Sequence, residues 1–195
     1  HVFIAHTKFP EGGFVSSAYQ LPVDDNYPFY VFFDGYETYR NRVINDFFNA
    51  KDTFSVQDFK DLHNNNHNLK AAELVPHMLA QMEVASLSEE EKAIYQEIKE
   101  WDFNNDIDQV GPSIWRQWYG KLYRMLWDEF DSEEQALTSP YTYQTIYFLK
   151  NHGDHEFMDI VDTEDTTETA KDLFLLAFKE AAARLLEIKE EEGGY

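Results

Sequence analysis

Residues 112–130, PSIWRQWYGKLYRMLWDEF, decide how the rest of this chain is read. Ile114, Trp118, Leu122 and Met125 recur at spacings of three and four, so an α-helix gathers them on one side. Pro112 stands at the opening, where a missing N–H loses no helical hydrogen bond. The four tryptophans, Trp101, Trp115, Trp118 and Trp127, are predicted to be core.

The same period extends outward in both directions. Towards the N-terminus, Ser88 with Glu91 caps a helix in which Ile94, Ile98 and Trp101 share a face. Asn68 opens a helix running through Leu69, Ala72, Met78 and Met82, which Pro76 is predicted to kink or split. Ser55 with Asp58 makes another capping-box start, and Tyr36, Tyr39, Val43 and Phe47 form an apolar face with Arg40 and Asp46 off it. Towards the C-terminus, Ser139-Pro140 starts a short helix ending near Asn151-His152-Gly153. A last helix from about Thr167 aligns Leu173, Ala177, Ala181, Leu185 and Ile188. Glu190, Glu191 and Glu192 oppose the dipole at its end, which is predicted to fray. No repeat of fixed period appears, which argues against a solenoid.

Only the first 35 residues read differently. Val2 to Ala5 and Phe14 to Ala18 are short extended candidates around the turn Pro10-Glu11-Gly12-Gly13. Two such strands cannot form a stable sheet alone, so their partners are expected in other sequence, and a start at His1 rather than Met fits a piece of a longer protein. The predicted fold class is mainly α with a short β portion at the N-terminus.

The 195 residues are 43% hydrophobic and 16% aromatic, which predicts a folded core. A formal charge of -21, from 37 acidic against 16 basic side chains, repels phosphate. It argues against nucleic acid and anionic membrane surfaces as partners. Cysteine is absent, which removes disulfides, thiolate nucleophiles and Cys-ligated metals. No apolar run approaches the ~20 residues that span a bilayer.

Several constellations carry residue types suited to metal binding or catalysis. His63 and His67 share a helical spacing, but three intervening Asn residues disfavour a helix and no carboxylate completes a ligand set. The His152-Gly153-Asp154-His155-Glu156 cluster has metal-friendly types without diagnostic spacing and reads as a turn and helix stop. Asp102, Asn104 and Asp106 alternate as in a calcium loop, yet Ile107 replaces the needed Gly and Ser113 the bidentate Glu, so Asx turns are expected instead. Serine-elbow and phosphate-cradling glycine motifs are missing. No cofactor is therefore expected within these residues.

One run is more specific. Gly13-Phe14-Val15-Ser16-Ser17-Ala18-Tyr19-Gln20-Leu21-Pro22, then Tyr27-Pro28, then Tyr39-Arg40-Asn41-Arg42-Val43-Ile44, resembles the large chain of penicillin acylase-family enzymes. The similarity continues through Asp61 to Leu69, Leu74-Val75-Pro76, Trp101-Asp102, Asp162-Thr163 and Thr167-Glu168-Thr169, and so covers nearly the whole chain. No single motif decides the matter; their shared order does.

The resemblance implies a segment of an N-terminal nucleophile hydrolase, whose parent fold is a four-layer αββα sandwich. Residues 1–35 would be a strand and loop part of that sandwich and residues 36–195 a helical lobe, both within one larger domain. In such enzymes a self-cleaving precursor exposes an N-terminal Ser, which attacks an amide carbonyl with its own α-amine as base. The implied partners are a small-molecule N-acyl amide and the remaining chain of the same precursor, meaning the small chain and the nucleophile-bearing part. A periplasmic or secreted location is implied, and calcium is possible in the parent protein.

Carried onto this sequence, the oxyanion-stabilising Asn falls at Tyr19, followed by Gln20, either of which would have to substitute for it. Arg42, rather than Arg40, matches the arginine near the nucleophile; otherwise it is a surface residue paired with Asp46 one turn on. Two other readings stay open: a free-standing helical protein-interaction module, and a family member that has lost catalysis.

Overall fold

The computed structural model describes residues 8, 10–20, 23, 26–30, 37–130 and 140–193. Among them are seven α-helices: α1 (Tyr39–Asn49), α2 (Val56–His63), α3 (Leu69–Leu79), α4 (Glu89–Glu100), α5 (Gly111–Leu126), α6 (Thr142–Asn151) and α7 (Ala170–Glu192). The chain is mainly α. It divides into two compact units, His1–Asn65 and Asn66–Tyr195.

In the second unit α5 packs along α7, α4 touches both, and α3 packs against α4 and α6. Of the stripe that periodicity assigns to α7, Leu173, Ala177, Ala181 and Leu185 are buried in the core, while Ile188 near the helix end is half-buried. Alanines at two of these positions let the α5 side chains close on the helix, and Trp118 and Phe178 meet edge to face at 5.0 Å between centroids. All four tryptophans are buried.

Local signals start these helices as expected. Ser55 accepts from the Asp58 N–H while Asp58 accepts from the Ser55 N–H, and Ser88 with Glu91 repeats the exchange. Asn68 Oδ1 accepts from the Ala71 N–H at 3.1 Å. α7, expected from about Thr167, starts two to three residues later at Ala170, where the Thr169 N–H donates to Asp172 Oδ2 at 2.9 Å.

Three expectations need correction. Pro76 does not split α3, because it lies in the final turn and only one upstream carbonyl loses its partner; the helix ends at Leu79, leaving the buried Met82 beyond it. Trp101 does not continue α4 but caps it in extended conformation. The glutamates at the end of α7 stay helical, because Gly193 adopts φ 75° and donates its N–H to Lys189 O at 3.0 Å. That cap outweighs the unfavourable dipole.

The α4–α5 link is tied by the Asx turn the sequence implies. Asp102 accepts from the Asn104 N–H at 3.0 Å and from its side-chain amide at 2.8 Å. Trp101 Nε1 donates to Asn104 O, which lays the indole across the start of α5. A Cβ at Gly111 would stand 2.2 Å from Trp101 Cγ, so only glycine fits there.

Phe14–Ala18, expected as a strand, has no ladder partner; among the described residues the only β-type pairing is the isolated bridge between His67 and Asn104. Val2–Ala5 lies outside the described residues.

The loop before α7 hangs on carboxylates. Glu168, only 9% exposed, accepts from the Ile160 N–H at 3.1 Å and the Thr163 hydroxyl at 3.0 Å, and Asp128 accepts from the Val161 N–H at 2.9 Å. Burial alone pushes the Glu168 pKa up, but these hydrogen bonds to the ionised form outweigh it, and the net shift is below the ordinary 4.5. A depressed folded pKa adds stability above the unfolded value and loses it as pH falls towards the folded one. Exchange-corrected protection of the Ile160 amide should therefore decline as pH drops below about 4.5, and Glu168→Gln should flatten that dependence.

Candidate active site

The first unit is built on α1. Its apolar side carries Phe47 and Phe48, which cluster with Phe54 and Phe59 at centroid distances from 5.1 to 6.5 Å. Phe14 stacks on Phe48 at 4.8 Å and brings the 13–20 loop onto the helix. Gly13, at φ 72°, turns the chain into that loop and donates its N–H to Pro10 O.

Beyond Phe14 the loop is held by polar groups. Ser16 Oγ donates to Asn45 Oδ1 at 2.7 Å, Asn45 Nδ2 donates to Asn41 Oδ1 at 2.9 Å, and Asn41 Nδ2 donates to Ser16 Oγ at 3.2 Å. The three bonds close a ring in one direction. Asn41 is 7% exposed, a degree of burial an amide tolerates only when its hydrogen bonds are made.

Gln20 ties the far end of the loop. Its Oε1 accepts from the Ala18 N–H at 2.6 Å and its Nε2 donates to Ser16 O at 2.8 Å. The amide that could have faced a substrate is thus engaged in the turn. Tyr19 lies at the apex with φ 63°, in the left-handed region, and its side chain is 68% exposed. Arg42 projects from α1 with its guanidinium carbon 4.9 Å from the ring centroid of the buried Tyr39, a cation–π contact. Arg40 is exposed.

Tyr19, Gln20 and Arg42 therefore belong to one unit, on a loop and the helix that holds it. Periodicity missed Ser16, Asn41 and Asn45. The available signal was a pair of asparagines four apart in a helix, where asparagine is a poor helix former and needs another reason to be present.

The remaining candidates have structural roles. His152 ends α6, donating its N–H to Phe148 O, and the ring of His155 accepts from the Phe157 N–H at 3.3 Å. Both imidazoles contact Phe148. His63 is the last residue of α2, whereas His67 lies in the second unit, where it pairs with Asn104. Among the described residues no three His, Cys, Asp or Glu side chains converge as metal ligands. None of the described helices is long and apolar enough to cross a membrane.

The family model for penicillin amidase matches residues 4–193, from before the 13–20 loop to the end of α7. The chain belongs to the penicillin amidase family. No curated protein and no solved structure matches it. Membership of the penicillin amidase family supports an acylase-like hydrolase family for this chain.

Proposed function

We propose that this chain is part of an amidohydrolase cleaving N-acyl amide bonds, with substrates such as β-lactams bearing an acyl side chain or acylated homoserine lactones. The nucleophile is an N-terminal Ser outside these residues, exposed by autoprocessing of a periplasmic or secreted precursor. Its Oγ adds to the amide carbonyl, its α-amine takes the proton, the amine leaves, and water releases the acid from the acyl-enzyme. The task of this chain is to hold the wall on which the carbonyl oxygen becomes negative, at Tyr19, with Arg42 on the adjoining helix.

One observation carries this assignment of roles: position 19 stands at an exposed apex with left-handed backbone, on a turn clasped from both sides. Asparagine is among the few non-glycine residues that favour such a φ, and asparagine is what the family pattern has there. Strained, over-determined backbone of this kind concentrates at functional sites.

The test is the mature whole protein with a chromogenic N-acyl amide. A burst of amine equal to one equivalent of enzyme, followed by steady turnover, is expected, with the acyl group recovered on the N-terminal Ser. A correctly processed protein that hydrolyses no N-acyl amide would overturn the proposal.

A protein-interaction module is the second reading, and one feature favours it. The second unit has a cleft of about 490 Å³ walled by Trp127, Phe130, Tyr143, Tyr147, Phe148 and Phe157. On that reading the processed protein binds another protein there and releases no amine.

A further inference from the structure

We propose that Ser16, Asn41 and Asn45 act together as positioning residues, fixing the apex at Tyr19 on the helix that carries Arg42 and so setting turnover rather than substrate affinity. The inference rests on the acylase reading and adds to it a unit that neither the family match nor the motifs assign.

The argument starts from what apolar contact leaves undetermined. The Phe14–Phe48 stack attaches the loop to α1, but burial is non-directional and tolerates sliding. Three hydrogen bonds at 2.7, 2.9 and 3.2 Å do not. In a one-way ring every hydroxyl and amide used is oriented by its neighbour, so losing one member disorients the other two.

The constraint then passes along the loop. The Ser16 side chain is a member of the ring, while its main-chain carbonyl accepts from Gln20 Nε2. Gln20 Oε1 in turn accepts from the Ala18 N–H. Tyr19 is thus enclosed between two anchored residues, which is how an apex in a disfavoured conformation is kept in one place. Asn41 is also the immediate neighbour of Arg42, so the ring ties both candidate site groups to one stretch of α1.

A shift of about 1 Å in a group facing the reacting carbonyl can cost on the order of 100-fold in rate. Binding of the rest of the substrate, made elsewhere, is unaffected. Ring variants should therefore lower kcat with KM little changed.

The experiment uses the mature whole enzyme carrying Ser16→Ala, Asn45→Ala, both together, or Ser16→Thr, which keeps the hydroxyl. Two quantities are read: kcat and KM on an N-acyl amide, and amide exchange at Ala18. Each alanine variant is expected to lose about 10- to 100-fold in kcat and to speed Ala18 exchange, the double variant losing little more than either single. Ser16→Thr should restore both readouts to near the wild-type values.

Unchanged Ala18 exchange in the alanine variants would show that the ring does not hold the loop and would overturn the inference. Faster exchange with kcat unchanged, or losses that multiply in the double variant, would overturn it too. A wild-type enzyme without amidase activity refutes the acylase reading itself and with it the catalytic role of the ring, an outcome separable from the others because it appears before any substitution.

Discussion

Trp118→Ala is expected to cost about 3–5 kcal/mol of stability, a fall in melting temperature on the order of 10 °C for a chain of this size. The indole is fully buried between α5 and α7, edge to face with Phe178, and its Nε1 donates to Phe174 O at 2.9 Å. Two effects are lost together, and their sizes differ. The hydrogen bond contributes about 1 kcal/mol net, and the carbonyl it meets belongs to a helix, where the N–H four residues on is its ordinary partner. Burial of the ring and the cavity left behind account for the rest. Trp118→Phe, which keeps much of the apolar volume and no donor, should therefore cost much less than Trp118→Ala. Urea titrations of the two variants check this; equal losses would mean that the hydrogen bond, not packing, dominates.

The same residue shows why the second unit was legible in sequence. Ile114, Trp118 and Leu122, with Leu173, Ala177, Ala181 and Leu185, obey a 3.6-residue period because each helix turns one side to the core, and all of them are buried; Met125 and Ile188, the last members of the two stripes, are half-buried. Caps were equally readable where a short polar side chain meets a backbone N–H within three residues, as at Ser55, Asn68 and Ser88. Helix ends were harder, because Gly193 and the stop at Leu79 depend on backbone choices that hydrophobic pattern does not encode.

In the first unit the 13–20 loop was legible only by motif order. Its contacts run from Ser16 to Asn45 and from Phe14 to Phe48, across about thirty residues and between an irregular loop and a helix, so no short-range period reports them. The role of Gln20 illustrates the limit. Sequence placed its amide beside the oxyanion position as a potential donor, whereas the fold turns that amide inward on Ala18 and Ser16. Its chemistry was visible and its direction was not.

That turn leads to the largest expected effect on activity. Tyr19→Asn in the mature whole enzyme should raise kcat on N-acyl amides, by up to ~10²–10³-fold if the side-chain amide restores a full oxyanion donor. Two independent arguments converge on asparagine. Chemically, a phenol hydroxyl can donate one hydrogen bond but lies several bonds farther from the backbone than an amide nitrogen, so from the same apex it meets an oxyanion positioned for the shorter side chain less well. Conformationally, φ at this position is 63°, where a tyrosine carries a left-handed penalty of about 1–2 kcal/mol that asparagine largely escapes. The substitution should consequently leave stability unchanged or raise it, which is unusual for a gain in activity at an exposed site. Tyr19→Gly separates the arguments: it relieves the backbone without supplying a donor, so it should match the stability of the Asn variant but not its turnover. If Tyr19→Asn leaves kcat unchanged while the loop stays folded, the oxyanion is stabilised from elsewhere and the carry-over of the family position to Tyr19 fails.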